Sequence, residues 1–157
     1  MTDPRILFAY TENIRQLTLR AKEFVMQFRH THVAAEHILL AILSAESPGV
    51  ATILAKANAT PQQIQELVLH HLRAGDAAVA EEAVILGERA KRVIECARQE
   101  ALQAHAPQIA PEHVLLGLTQ VPNTVSGAVL RAVGITTESA REALGQASPP
   151  AQTPIAE

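Results

Sequence analysis

The sequence predicts an all-α fold, two tandem four-helix units forming a pseudo-twofold eight-helix globule, and three observations carry that prediction. The run Val33-Ala34-Ala35-Glu36-His37-Ile38-Leu39-Leu40-Ala41-Ile42 recurs almost unchanged as Ile109-Ala110-Pro111-Glu112-His113-Val114-Leu115-Leu116-Gly117-Leu118. The offset is 112 − 36 = 76, and at that shift Tyr10 to Val68 aligns with Leu86 to Leu144 without a gap. Elsewhere apolar residues recur at three- and four-residue steps, and nothing alternates with a period of two over a useful length, so no sheet is expected. A repeat of this length exceeds one helical hairpin, so each copy reads as a half-domain that needs the other to close its core.

Met1 to Phe8 is a lead-in, and the first helix is expected to begin near Thr11, an N-cap followed by Glu12 where the helix dipole favours a carboxylate. Ile14, Leu17, Ala21, Val25 and Phe28 then form one stripe on a helix that ends near His30. The Glu36 element is the second helix, and Ile38, Leu39, Ile42 and Leu43 make its apolar surface too wide for an exposed position, so it is placed centrally. Ser47-Pro48 opens a third helix, with Asn58 as a left-handed terminator. Thr60-Pro61-Gln62-Gln63 has the spacing of a capping box and starts a fourth helix through Ile64, Leu67, Val68 and Leu72. In the second copy, helix five runs from about Gly87 to Ala104, Pro111 opens helix six, helix seven reaches Gly134, and Thr136 caps helix eight through Leu144.

These assignments divide the chain into repeat 1 (about 10–74), a connector (75–85), repeat 2 (about 86–146) and a proline-containing tail (147–157) that reads as linker or disordered end. The chain has 157 residues, 48% of them hydrophobic, enough for one compact core. A net charge of −3 with dispersed Lys and Arg lacks the footprint of a nucleic-acid or membrane-surface binder, so protein partners are expected. No apolar run is long enough to span a bilayer or serve as a signal peptide, and the single Cys96 cannot form an internal disulfide, so a cytoplasmic location is expected. Cys96 stands at an apolar helical position and reads as a small buried hydrophobe rather than a reactive thiol.

Seven histidines raise the question of a metal. The spacing argues against one: a helical di-iron set needs Glu-x-x-His on one face, whereas Glu36-His37 and Glu112-His113 are neighbours pointing about 100° apart. Capping or partly buried histidines are the expectation, with no metal and no cofactor. There is no P-loop, dinucleotide fingerprint or nucleophile elbow, so no enzymatic activity is expected. The two glutamates, one per copy, read as equivalent binding positions rather than as an acid and a base.

With these residues in view, the sequence resembles the Clp N-terminal repeat domain found at the front of ClpC-, ClpA- and ClpB-type unfoldases. The resemblance covers about Tyr10 to Leu144 and rests on Thr11-Glu12, Ala21, His30, Val33 and Glu36-His37-Ile38-Leu39-Leu40, together with Glu88-Arg89-Ala90, Ala97, Glu100-Ala101, Ile109 and Glu112-His113-Val114-Leu115-Leu116-Gly117. It implies a non-enzymatic protein-binding module that docks substrates or adaptors of a Clp chaperone-protease, with Clp ATPase or Clp peptidase subunits as partners. The alternative it leaves open is an accessory subunit that regulates the Clp peptidase ring, comparable to the plant ClpT proteins. Both a free-standing protein and an excised domain fit this reading. In ClpC-type members the repeat's Glu and a helix-capping Thr hold phosphorylated arginine, which implies a first site at Thr11 and Glu36 and a second at Gly87 and Glu112. Gly87 offers no hydroxyl to a phosphate, so the first is expected to bind more tightly. The family's usual Thr before the Glu is here Ala35 and Pro111. An apolar groove between repeats is expected beside Leu7 and Leu86, where the family often has Phe.

Overall fold

The computed structural model describes residues 4–44, 47–72, 75, 84–106, 109–121 and 124–145, with the backbone alone for 4–14 and 85. Eight helices are present among them: α1 (Pro4–Gln27), α2 (Ala35–Ser44), α3 (Pro48–Lys56), α4 (Pro61–His71), α5 (Glu88–Gln103), α6 (Pro111–Thr119), α7 (Val125–Ala132) and α8 (Thr137–Ala143). The 76-residue offset is written into their bounds. Adding 76 to Ala35, Pro61 and Gln27 gives Pro111, Thr137 and Gln103, the starts of α6 and α8 and the end of α5. The left-handed residues that end helices repeat likewise, Arg29 with His105 and Asn58 with Gly134. The proline tail lies outside the described residues, as does most of the connector.

Local chemistry explains most starts. Ser47, Thr60, Thr124 and Thr136 each accept the N–H three residues on, at 3.3, 3.0, 2.9 and 3.1 Å, satisfying donors that the first turn leaves without partners. Of the capping box expected at Thr60 only the Thr half forms. Two expectations need correction. First, α1 begins at Pro4, not near Thr11, so Thr11 lies inside a helix and is not its cap. Second, the fold is not wholly without strand: β1 (His32–Val33) and β2 (Ile85–Leu86) pair in parallel, His32 opposite Ile85 and Val33 opposite Leu86. Two-residue strands leave no alternation to detect, which is why periodicity missed them.

The copies interlock rather than abut. Helices α2 and α6 touch each other at the centre, and the cross-copy contacts come in exchanged pairs: α3 with α6 matches α7 with α2, and α3 with α8 matches α7 with α4. Leu39, Leu40, Leu115 and Leu116 are all buried at this centre. Symmetry fails at α1. The counterpart of β2 in copy one is Ala9–Tyr10, by 85 − 76 = 9, and those residues are helical.

Copy two also carries two polar groups that copy one lacks. Glu100 is 3% exposed and accepts from Arg141 and from Gln120 Nε2 at 2.7 Å, joining α5 to α8 and to the end of α6; the copy-one counterparts are Phe24, Gln65 and Ser44. Ser126, fully buried in α7 where copy one has Val50, is the one buried side-chain hydroxyl without a hydrogen bond among the described residues. A buried donor left unmade costs about 1–3 kcal/mol, so Ser126→Ala should raise the urea midpoint by a corresponding amount. A midpoint that falls would show that the hydroxyl has a partner. No single helix among the described residues is long and apolar enough to cross a membrane.

Candidate functional site

Both repeated glutamates occupy the second position of a helix, Glu36 on α2 and Glu112 on α6, and the adjoining histidines hold those starts in shape. His37 Nδ1 accepts the Ala34 N–H at 2.8 Å, and His113 Nδ1 accepts the Ala110 N–H at 2.9 Å. This is the reciprocal half of a capping box made with imidazole in place of Glu or Gln. Ala34 and Ala110, the residues just before the two helices, carry no hydroxyl to cap them, so here the His alone supplies a side-chain bond at the helix start. The expectation of capping, buried histidines is met at both positions: His37 is 2% and His113 5% exposed. Burial lowers the pKa of each. His37 is brought to about 4 by burial first and by the neighbouring His30 and His32 next, while His113 is lowered less because Glu112 and Glu100 oppose the effect.

The environments of the two glutamates differ. Glu36 lines a cavity of about 500 Å³ together with His32, Gly87, Glu88, Arg89 and Thr124. No hydrogen bond or ion pair reaches its carboxylate among the described residues. The first turn of α5 forms another wall, and Gly87, its N-cap, gives it no side-chain hydrogen bond. Gly87 is held there by its own N–H, which donates to Val33 O at 2.9 Å, and by the need for no side chain: a Cβ would lie 2.6 Å from His32 Cδ2.

Glu112 is occupied. Ser47 Oγ donates to its Oε1 at 3.1 Å, and the carboxylate rests over the start of α3, where a Cβ on Gly49 would come within 2.5 Å of Glu112 Cδ. The counterpart of Gly49 is Val125, by 49 + 76 = 125, and it lines the Glu36 cavity. A valine fills the space over α7 that glycine leaves open over α3. Glu36 lines an open cavity, whereas Glu112 is bonded to Ser47 over a helix start.

The structure thus brings Glu36 together with Gly87, across the copies, at one cavity. The sequence-level pairing of Gly87 with Glu112 assumed a site built within one copy, whereas Gly87 shares its cavity with Glu36 of the other copy. Thr11 and Leu7 lie on α1, within the stretch described by backbone alone; Leu86 is half-buried beside Gly87 on β2. Arg89, His32 and Thr124 were not read from the sequence as residues of this site, and only the fold places them at one cavity. Cys96 is half-buried and burial pushes its thiol pKa up, in keeping with a packing role. No cluster of three metal-ligating side chains occurs among the described residues.

Known proteins share this architecture. Structures resembling it include one from a study of a malarial protein secretion system (TM-score 0.71, 20% identity, 87% of this chain and 92% of that one). The N-terminal domain of the chaperone ClpD from Arabidopsis thaliana also resembles it (TM-score 0.65, 19% identity, 91% and 96%). In sequence, the chain is 28% identical over 134 residues to the chaperone protein ClpB of Oceanobacillus iheyensis, covering 85% of this chain and 16% of that one. It is 27% identical over 131 residues to the ClpC ATP-binding subunit of Staphylococcus epidermidis, covering 83% and 16%. The chain thus spans about a sixth of the length of these curated relatives. The model of the Clp repeat (R) N-terminal domain matches twice, over residues 9–100 and 85–153. With the doubled Glu-His helix, the eight-helix architecture and two family matches spanning most of its length, the chain belongs to the Clp repeat N-terminal domain family.

Proposed function

We propose that this chain is a cytoplasmic, non-enzymatic docking module of a Clp chaperone-protease system, and that the Glu36–Gly87 cavity seats phosphorylated arginine presented by a substrate or adaptor. One observation carries the reading: a carboxylate without a partner among the described residues and a helix start without a side-chain cap line the same cavity. A carboxylate suits the guanidinium part of the ligand through charge-assisted bonds, and a helix N-terminus suits its phosphoryl group. Arg89 adds a cation on the same wall. The backbone of α5 takes the place of the hydroxyl that Gly87 lacks.

Glu112, already bonded to Ser47, makes the weaker partner. In an NMR titration with free phosphoarginine, the amides of Glu36 and of 87–90 should shift first. Glu36→Ala should weaken binding about ten- to a hundredfold, the equivalent of a hydrogen bond to a charged group at about 1.5–3 kcal/mol, while Glu112→Ala should leave it unchanged. Absence of any shift at these amides up to millimolar ligand would defeat the assignment. Capture of the Clp peptidase ring and not of the Clp ATPase would make the chain an accessory regulator of that ring instead.

A further inference from the structure

The turn between α1 and α2, which contains β1, is held by two histidine rings. His37 Nδ1 accepts the Ala34 N–H, and His37 Nε2 lies 2.7 Å from His30 Nδ1, the rings meeting edge-on at 4.9 Å. A neutral imidazole has one N–H and one lone pair. Because the lone pair of His37 is taken at Nδ1, its proton is on Nε2 and is donated to His30 Nδ1. Any further proton on the pair must break one of these bonds. Added to His30 Nδ1 it sets two N–H groups face to face, and added to His37 Nδ1 it opposes the Ala34 N–H.

The surroundings make a proton costly on His37. His37 is almost fully buried, Phe28 stacks on His30 with ring centres 5.8 Å apart, and the charges that act on His37 come from His30 and His32, both cationic when protonated. No carboxylate is among them. Copy two has no such device, because the counterpart of His30 is Ala106. The turn reaches the cavity directly: Val33 O holds the Gly87 N–H, and His32 lines the cavity wall.

We propose that the His30–His37 pair is a proton-operated latch: neutral, it holds β1 on β2 and keeps the Glu36 cavity formed, and protonated, it lets β1 and Gly87 part. The latch is independent of which ligand the cavity takes. Its sign follows from a folded pKa held below the ordinary value of 6.5: the latch is fully closed above about pH 6.5 and opens as pH falls toward about 4.

The test is an NMR pH titration of the full chain from pH 7.5 to 3.5, following the Val33 and Gly87 amides and the ring nitrogens of His30 and His37. The amides should move in one step with the His37 ring. His37→Gln, whose amide oxygen can still accept from Ala34, should abolish that step, and His30→Ala, which removes a like charge, should move its midpoint upward. Glu36 and Glu88 line the same cavity and are carboxylates, so a Gly87 step unchanged in both variants would belong to them and would overturn the proposal, as would no step in the unmodified chain. If His37→Gln fails to fold by circular dichroism at pH 7.5, the His30→Ala midpoint decides alone, and an unchanged midpoint overturns it.

Discussion

Arg141→Met should destabilise the chain by about 3–5 kcal/mol, the largest single effect expected here, because it leaves the Glu100 carboxylate buried without its counter-charge. Gln120 alone donates to it then, and a neutral amide does not offset a buried charge. Urea unfolding would measure the loss. The same position in copy one is solved without charge, by Phe24 with Gln65. Glu100→Phe combined with Arg141→Gln should therefore recover most of the stability, since replacing a whole buried pair by packed apolar atoms is often neutral. A single variant within 1 kcal/mol of the parent (roughly the ceiling for an exposed pair) would show that the Glu100–Arg141 contact is open to water.

Leu39→Ala and Leu115→Ala should each cost about 2–5 kcal/mol, since both side chains are fully buried and truncation leaves a cavity that close-packed helices cannot collapse. They lie on α2 and α6, which touch, so the two losses should not simply add. A denaturation midpoint indifferent to both would remove these residues from the core.

The helix inventory was legible because it rests on short-range chemistry. Pro after a Ser or Thr cap marked α3 and α4, Asn58 marked a helix end, and the doubled Glu-His run marked the two central helices. The start of α1 was misread because Thr11-Glu12 is a good cap signal, and nothing local says that Pro4, whose fixed backbone angle also suits a first turn, comes earlier. The left-handed Arg29 and His105 carried no glycine or asparagine to announce them. Of the site, Glu36 and Gly87 were both visible as candidates, but which belonged with which was not. Partnership across 51 residues, from 87 − 36, is set by how α2, α5 and α7 interlock, and a sequence period reports equivalence rather than proximity. The role of Val125 against Gly49 was hidden for the same reason: at the offset they are merely unlike residues.

The crossing of the halves has a thermodynamic meaning. The carboxylate wall of the cavity belongs to one copy and the uncapped helix start to the other, so a ligand that grips both is a tie across the seam between two half-domains. Its binding free energy counts toward keeping the copies together, by the same mass-action relation that links any native-state ligand to stability. Occupancy and cohesion then rise and fall as one quantity, and a pull that separates the copies must release the ligand before, or as, the seam opens.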